Sequence, residues 1–290
     1  MHITHQTIST NGINLHVAAA GDEDAPLVIL LHGFPEFWRG WDRQIPALVD
    51  AGYRVWVPDQ RGYNISDKPN GIDAYTLDEL ALDIVGLLDA AGVEQAPIIG
   101  HDWGGAVTWW LALQHPQRLT RTAVLNMPHP GVMLRFLRSQ PRQLLKSWYM
   151  FFFQLPWLPE RMLQRSGTRM LRATGHAFRK MDLQHYQDAY NQPGAATGML
   201  NWYRAMLRRS PKPPPSPRVE TPTLMVWGEQ DVALNARMAA LSMKYVANGS
   251  LVTLPDASHF VQHDAPEQVN DLLIDWLRSD ESGGSECSRV

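Results

Sequence analysis

Cysteine is nearly absent from this chain of 290 residues: there is one, Cys287, close to the end. A lone thiol makes no internal disulfide and no cysteine-rich metal site. Long apolar runs are missing too. The longest aliphatic run, Leu27 to Leu31, is far below the roughly 18 residues that cross a bilayer, so no membrane span is expected. Met1 to Ala20 is polar and lacks the apolar centre of a signal segment, which makes a cytoplasmic location the expectation. Nor does charge of one sign dominate: 26 basic and 29 acidic residues leave −3. That balance gives no reason to expect nucleic acid as a partner. The histidines do not group with carboxylates at metal-ligand spacing, and neither a metal nor another cofactor is expected.

What is present is a globular composition, 44% hydrophobic and 19% charged. Ile3 to Ile8 and Ile13 to Ala18 read as strands around Asn11-Gly12, a hairpin signal. Leu27 to Leu31 is apolar on both faces, which suits a strand inside a parallel sheet. Tyr53 to Val57, Pro97 to Ile99, Leu119 to Leu125, Leu224 to Trp227 and Leu251 to Leu254 are further strands. Helical spacing separates them, and Thr76-Leu77-Asp78-Glu79 has the form of a capping box. The alternation predicts an α/β fold with a mostly parallel sheet. It is broken between about Pro128 and Ser210 by helical, aromatic, arginine-rich sequence that ends in a proline run from Pro211 to Pro217. The expected organisation is a core over 1–128, a helical cap over 129–212, the rest of the core over 213–279, and a disordered polar tail over 280–290.

The most informative stretch is Gly100-His101-Asp102-Trp103-Gly104-Gly105. Small residues two before and two after a central residue mark a nucleophile elbow, where a strand turns sharply into a helix. The tip is Asp102 rather than serine. A carboxylate is already ionised near neutral pH, so it attacks an electrophilic carbon without a base and forms an alkyl ester. Hydrolysing that ester needs an activated water. His259, in Ser258-His259-Phe260 after the last strand, stands where the base belongs, and Asp231, in Gly228-Glu229-Gln230-Asp231, can accept its other ring N–H. Two backbone N–H groups must hold the oxyanion; Trp103 at the helix start and Phe34 in His32-Gly33-Phe34-Pro35 are the candidates. His32 and His101 are read as orienting backbone, and His263 and Asp264 as a pair at a helix start.

These motifs, with Pro58-Asp59-Gln60-Arg61-Gly62-Tyr63, resemble the α/β-hydrolase fold epoxide hydrolases, of the bacterial soluble type and similar to the hydrolase domain of the cytosolic enzymes. The resemblance covers nearly all of residues 2 to 278. It implies an α/β-hydrolase fold with an inserted helical cap, and the hydrolysis of a small apolar epoxide by water to a vicinal diol. It also implies that Tyr149 and Tyr203 of the cap bind the epoxide oxygen, and that Trp103, Trp202 and Phe34 contact substrate. A monomer or homodimer is expected. Haloalkane dehalogenases share the aspartate, histidine and acid, and the tryptophan after the nucleophile matches Trp103, so that alternative stays open.

The overall balance hides an asymmetry. Residues 129–212 hold 11 arginines and three lysines against three acids, a net of +11, and the remainder carries −14. Opposite charges favour closure of the cap on the core, although single surface pairs are worth little. A sharper expectation is that the basic cap attracts anionic epoxides.

Overall fold

The computed structural model describes residues 2–279; the predicted tail and Cys287 lie outside the described residues. An eight-stranded sheet runs in the order β1-β2-β4-β3-β5-β6-β7-β8. The strands are β1 (Thr4–Thr10), β2 (Ile13–Ala20), β3 (Leu27–Leu31), β4 (Arg54–Pro58), β5 (Ala96–His101), β6 (Leu119–Leu125), β7 (Thr223–Gly228) and β8 (Gly249–Leu254). The β1–β2 and β2–β4 pairs are antiparallel, and every later pair is parallel. The physical cause is visible in burial. All five residues of β3 and all six of β7 are buried, as a sheet covered by helices on both faces requires.

The covering helices of the core are α1 (Gln44–Asp50), α2 (Leu77–Ala90), α3 (Trp103–Gln114), α10 (Arg237–Met243), α11 (Val261–Asp264) and α12 (Pro266–Arg278). Between β6 and β7 lie the six helices of the cap: α4 (Pro130–Ser139), α5 (Pro141–Lys146), α6 (Trp148–Phe152), α7 (Leu158–Thr174), α8 (Gln184–Asn191) and α9 (Ala195–Arg208). Two local readings need correction. Thr76 takes the extended N-cap conformation of α2 but makes no side-chain capping bond, and Glu79, the other member of the box, accepts from Asn11 Nδ2 at 3.1 Å instead. The sequence from Ala236 to Val246 also reads as one helix; the helix is shorter, since the chain leaves it at Lys244 to run beside Val219.

The cap is tied to the core at the carboxyl ends of the parallel strands, where ligands of open α/β sheets bind. Lys146 Nζ donates to the Asp231 carbonyl at 3.0 Å, and the Trp202 indole donates to the Arg61 carbonyl at 3.0 Å. The Ala177 amide donates to Asp264 at 2.8 Å.

Candidate active site

The site begins with a strained residue. Asp102 has φ +48° and ψ −119°, a region that non-glycine residues enter only when the surroundings hold them there. The fit around it explains the small neighbours. A Cβ on Gly100 would stand 2.2 Å from the Gly104 carbonyl oxygen, and one on Gly104 would stand 2.1 Å from that of Leu31. No larger residue keeps β5, β3 and the start of α3 this close. The elbow therefore projects the Asp102 carboxylate from the end of β5, at the first turn of α3.

The loops after β3, β7 and β8 deliver the other groups. The Phe34 amide donates to Oδ1 of Asp102 at 2.8 Å. His259 Nε2 lies 3.3 Å from Oδ2 of Asp102, and its Nδ1 lies 2.7 Å from Oδ2 of Asp231. Asp231 Oδ1 accepts from the amides of Ala233 and Leu234 at 2.7 and 2.8 Å. Asn126, at positive φ just after β6, donates to Asp231 Oδ2 at 2.8 Å and accepts from the Gly228 amide. Asp231 is thus held by four donors.

The electrostatics follow from this packing. Burial disfavours the His259 imidazolium, but the Asp231 carboxylate, then Asp102, outweigh it and hold the pKa up at about 10. Burial also opposes the Asp231 carboxylate, yet the His259 charge and the converging donors bring its pKa below the ordinary value. Tyr149 and Tyr203 move the other way. Burial, joined by Asp102, pushes both phenols well above the usual range, so they remain neutral donors.

Sequence reasoning missed the layer beneath these groups. Glu36, fully buried, accepts from His263 Nε2 at 2.7 Å, from Gln262 Nε2 at 3.0 Å and from the Tyr186 hydroxyl of α8 at 3.3 Å. His101 Nδ1 lies 3.2 Å from its other oxygen, while His101 Nε2 lies 2.9 Å from the His259 carbonyl oxygen. Burial alone would raise the Glu36 pKa, but His263, then His101, hold it far below the carboxylate range. One carboxylate thereby joins the Phe34 loop, the elbow, the His259 loop and the cap. Its only signal was its place two residues beyond Phe34. His263 and Asp264 belong to this support: Asp264 accepts from the Ser258 amide and hydroxyl. His32 also supports backbone, its Nε2 accepting from the Gln60 amide at 3.1 Å.

A cavity of about 420 Å³ has Asp102, Trp103, Tyr149 and Tyr203 together on its wall. Trp103, Ala106, Trp110 and Leu113 form one face of α3 along it, a stripe that runs roughly 15 Å at helical rise. Met133, Leu134 and Leu137 of α4 and prolines 211, 213, 214 and 217 complete much of the rest. The wall carries no lysine or arginine, so the cap's positive charge is not in the cavity. His129 lines it, but burial lowers its pKa to about 4, and it is neutral near pH 7.

The remaining sequence candidates are placed differently. The Trp202 side chain is off this wall: it is fully buried, hydrogen-bonded to Arg61, and edge-on to Tyr63 and Trp103 at 5.5 Å. It supports Trp103 instead of facing the cavity. The Phe34 ring packs on Tyr203 and Phe153 at 5.0 and 5.5 Å, leaving its amide as the group that reaches Asp102. The Trp103 ring is perpendicular to Tyr203 at 5.1 Å.

Comparison with known proteins agrees with this architecture. The family model for the alpha/beta hydrolase fold matches residues 26–266. The chain is 48% identical to the AB hydrolase superfamily protein YfhM of Bacillus subtilis, over 94% of this chain and 98% of that one. It is 39% identical to epoxide hydrolase 4 of Homo sapiens, over 94% of this chain and 78% of the relative. The crystal structure of the Bacillus megaterium epoxide hydrolase in complex with an inhibitor superposes with a TM-score of 0.84 at 30% identity, covering 94% of this chain and all of the other.

Proposed function

The chain belongs to the epoxide hydrolases of the alpha/beta hydrolase fold family, and from that premise we propose that it converts an apolar epoxide to a vicinal diol through a covalent ester on Asp102. The observation that carries this is the division of labour at one carboxylate. Oδ1 accepts from the Phe34 amide, Oδ2 faces His259, and two neutral tyrosines share the cavity wall with it.

In the first half-reaction Oδ2 attacks a ring carbon and the carbon–oxygen bond of the epoxide breaks. The electron pair leaves on oxygen, which takes a proton from Tyr149 or Tyr203. Ester formation neutralises Asp102. Of the two carboxylates that hold the proton on His259, one then has no charge, so the imidazole pKa falls, its proton passes to the tyrosinate, and the neutral ring becomes able to act as a base. It deprotonates water, the hydroxide attacks Cγ of Asp102, and Oδ1 becomes the oxyanion held by the amides of Phe34 and Trp103. Collapse breaks the Cγ–Oδ2 bond, the departing alkoxide takes the proton of the new hydroxyl, and the diol leaves with the former Oδ2, restoring the carboxylate beside a protonated His259.

Two measurements test the proposal. A panel of epoxides and haloalkanes is scored for diol and for halide. Single turnover in 18O-labelled water places label in Asp102 and none in the first equivalent of diol; label absent from Asp102 rules out the ester.

A further inference from the structure

Five arginines of the cap, Arg135, Arg138, Arg161, Arg165 and Arg169, are exposed, and so are most of the large apolar side chains exposed among the described residues. Of thirteen large apolar side chains exposed among the described residues, ten lie between 134 and 207 and eight between 144 and 162. Scattered single residues of this kind are ordinary, whereas a concentration marks a binding surface. Leu145 of α5, Trp148 and Phe151 of α6, Leu155 in the turn after it, and Leu158 and Met162 in the first turns of α7 are exposed along one short stretch of chain. Leu145 is 73% exposed and Trp148 61%. Met150 and Phe153 of the same stretch are buried.

Cations flank this stretch. Arg161, Arg165 and Arg169 follow one another on the exposed side of α7, and Arg135 and Arg138 are exposed on α4. None of the five makes an ion pair among the described residues. Arg161 instead lies over the ring of Trp157, at 5.3 Å from its centre. A second copy on this face would meet it with the same basic surface, because a two-fold interface sets like patch against like. Tryptophan and leucine beside arginine suit a lipid interface, where the apolar groups enter the acyl boundary and the cations meet anionic headgroups. Leu134 and Leu207 are at once exposed and part of the cavity wall, so the cavity reaches the surface of the same cap.

We propose that the outer face of α5–α7 is a peripheral docking surface for an anionic phospholipid bilayer. The chain has no helix long and apolar enough to cross a membrane among its described residues; the contact is with one leaflet. The proposal stands apart from the chemistry at Asp102, and binding is measured without turnover.

The test is flotation of the whole protein with vesicles of phosphatidylcholine alone or mixed with phosphatidylglycerol. Two double variants are compared, Leu145→Ser with Trp148→Ser and Arg161→Glu with Arg165→Glu. The wild type is expected to float with the anionic vesicles, less so at high salt, and each double variant to bind about tenfold or more weakly. Both variants are expected to keep wild-type thermal melting and turnover of a water-soluble epoxide. Equal binding to both kinds of vesicle, or undiminished binding by both variants, overturns the proposal. So does a solution dimer of the wild type that the Leu145/Trp148 variant dissociates, since the face would then join two copies.

Discussion

Nε2 of His259 lies 3.3 Å from Oδ2 of Asp102 while the Phe34 amide grips Oδ1 at 2.8 Å. In the proposed chemistry, the oxygen facing the histidine is the one that attacks, and the histidine is needed only afterwards. His259→Gln should therefore form the ester and fail to hydrolyse it. Intact-mass spectrometry after mixing with epoxide is expected to show one added substrate per chain, with steady-state turnover down by about 10⁴-fold or more. A variant that neither turns over nor gains mass would remove His259 from the second step alone.

The two cap phenols are expected to act on the first step. Tyr203→Phe and Tyr149→Phe each remove one donor from the developing alkoxide and leave the other. Each should slow ester formation by about 10- to 100-fold, and the double variant by clearly more, within the range of general acid catalysis. Rapid-mixing single turnovers read this rate directly. Hydrolysis of a preformed ester should change little, because neither hydroxyl faces water attack in the second step.

The resting charge of His259 makes a pH prediction with a definite sign. Its folded pKa of about 10 is above the ordinary value of 6.5, so the folded state binds the proton more tightly than the unfolded chain does. The stabilisation is complete below about pH 6.5 and lost as pH rises towards 10. Relative to His259→Gln, the wild type should have its largest advantage in Tm near pH 6, and the advantage should shrink steadily up to pH 10. An advantage that grows over that range would contradict the assigned charge.

Glu36 is expected to matter for stability as much as for placement. Glu36→Ala leaves His263, Gln262 and the Tyr186 hydroxyl without their acceptor inside the protein. Breaking a buried charged network from one side costs about 3–5 kcal/mol, and denaturant unfolding should show a loss of that order. Glu36→Gln keeps the shape and part of the hydrogen bonding, so it should lose less.

Much of this was legible before any tertiary contact was known. The elbow could be read because its constraints are local: Gly100 and Gly104 are small for steric reasons set within a few residues of Asp102. The buried strands could be read because burial on both faces leaves continuous apolar runs such as Leu27 to Leu31. The capping bond at Thr76 and the end of α10 were misread because distant partners, Asn11 for Glu79 and Val219 for the segment after Met243, override the local preference. The family resemblance implied Trp202, next to Tyr203 in the chain, as a substrate contact. Consecutive helical residues point about 100° apart, and the fold sends one into the Arg61 backbone and the other to the cavity.

The sequence by itself determined the strand order of the chemistry, the carboxylate at the elbow, and the charge difference between cap and core, since each depends on residue type and local spacing. Only the tertiary structure decided which groups meet. Glu36 and Gln262 are 226 residues apart in the chain and share a hydrogen bond, and nothing in local periodicity encodes such a pair. It also decided where the cap's charge goes. Desolvation keeps arginine out of an apolar cavity, and Arg135, Arg138, Arg161, Arg165 and Arg169 of the cap are exposed to solvent instead.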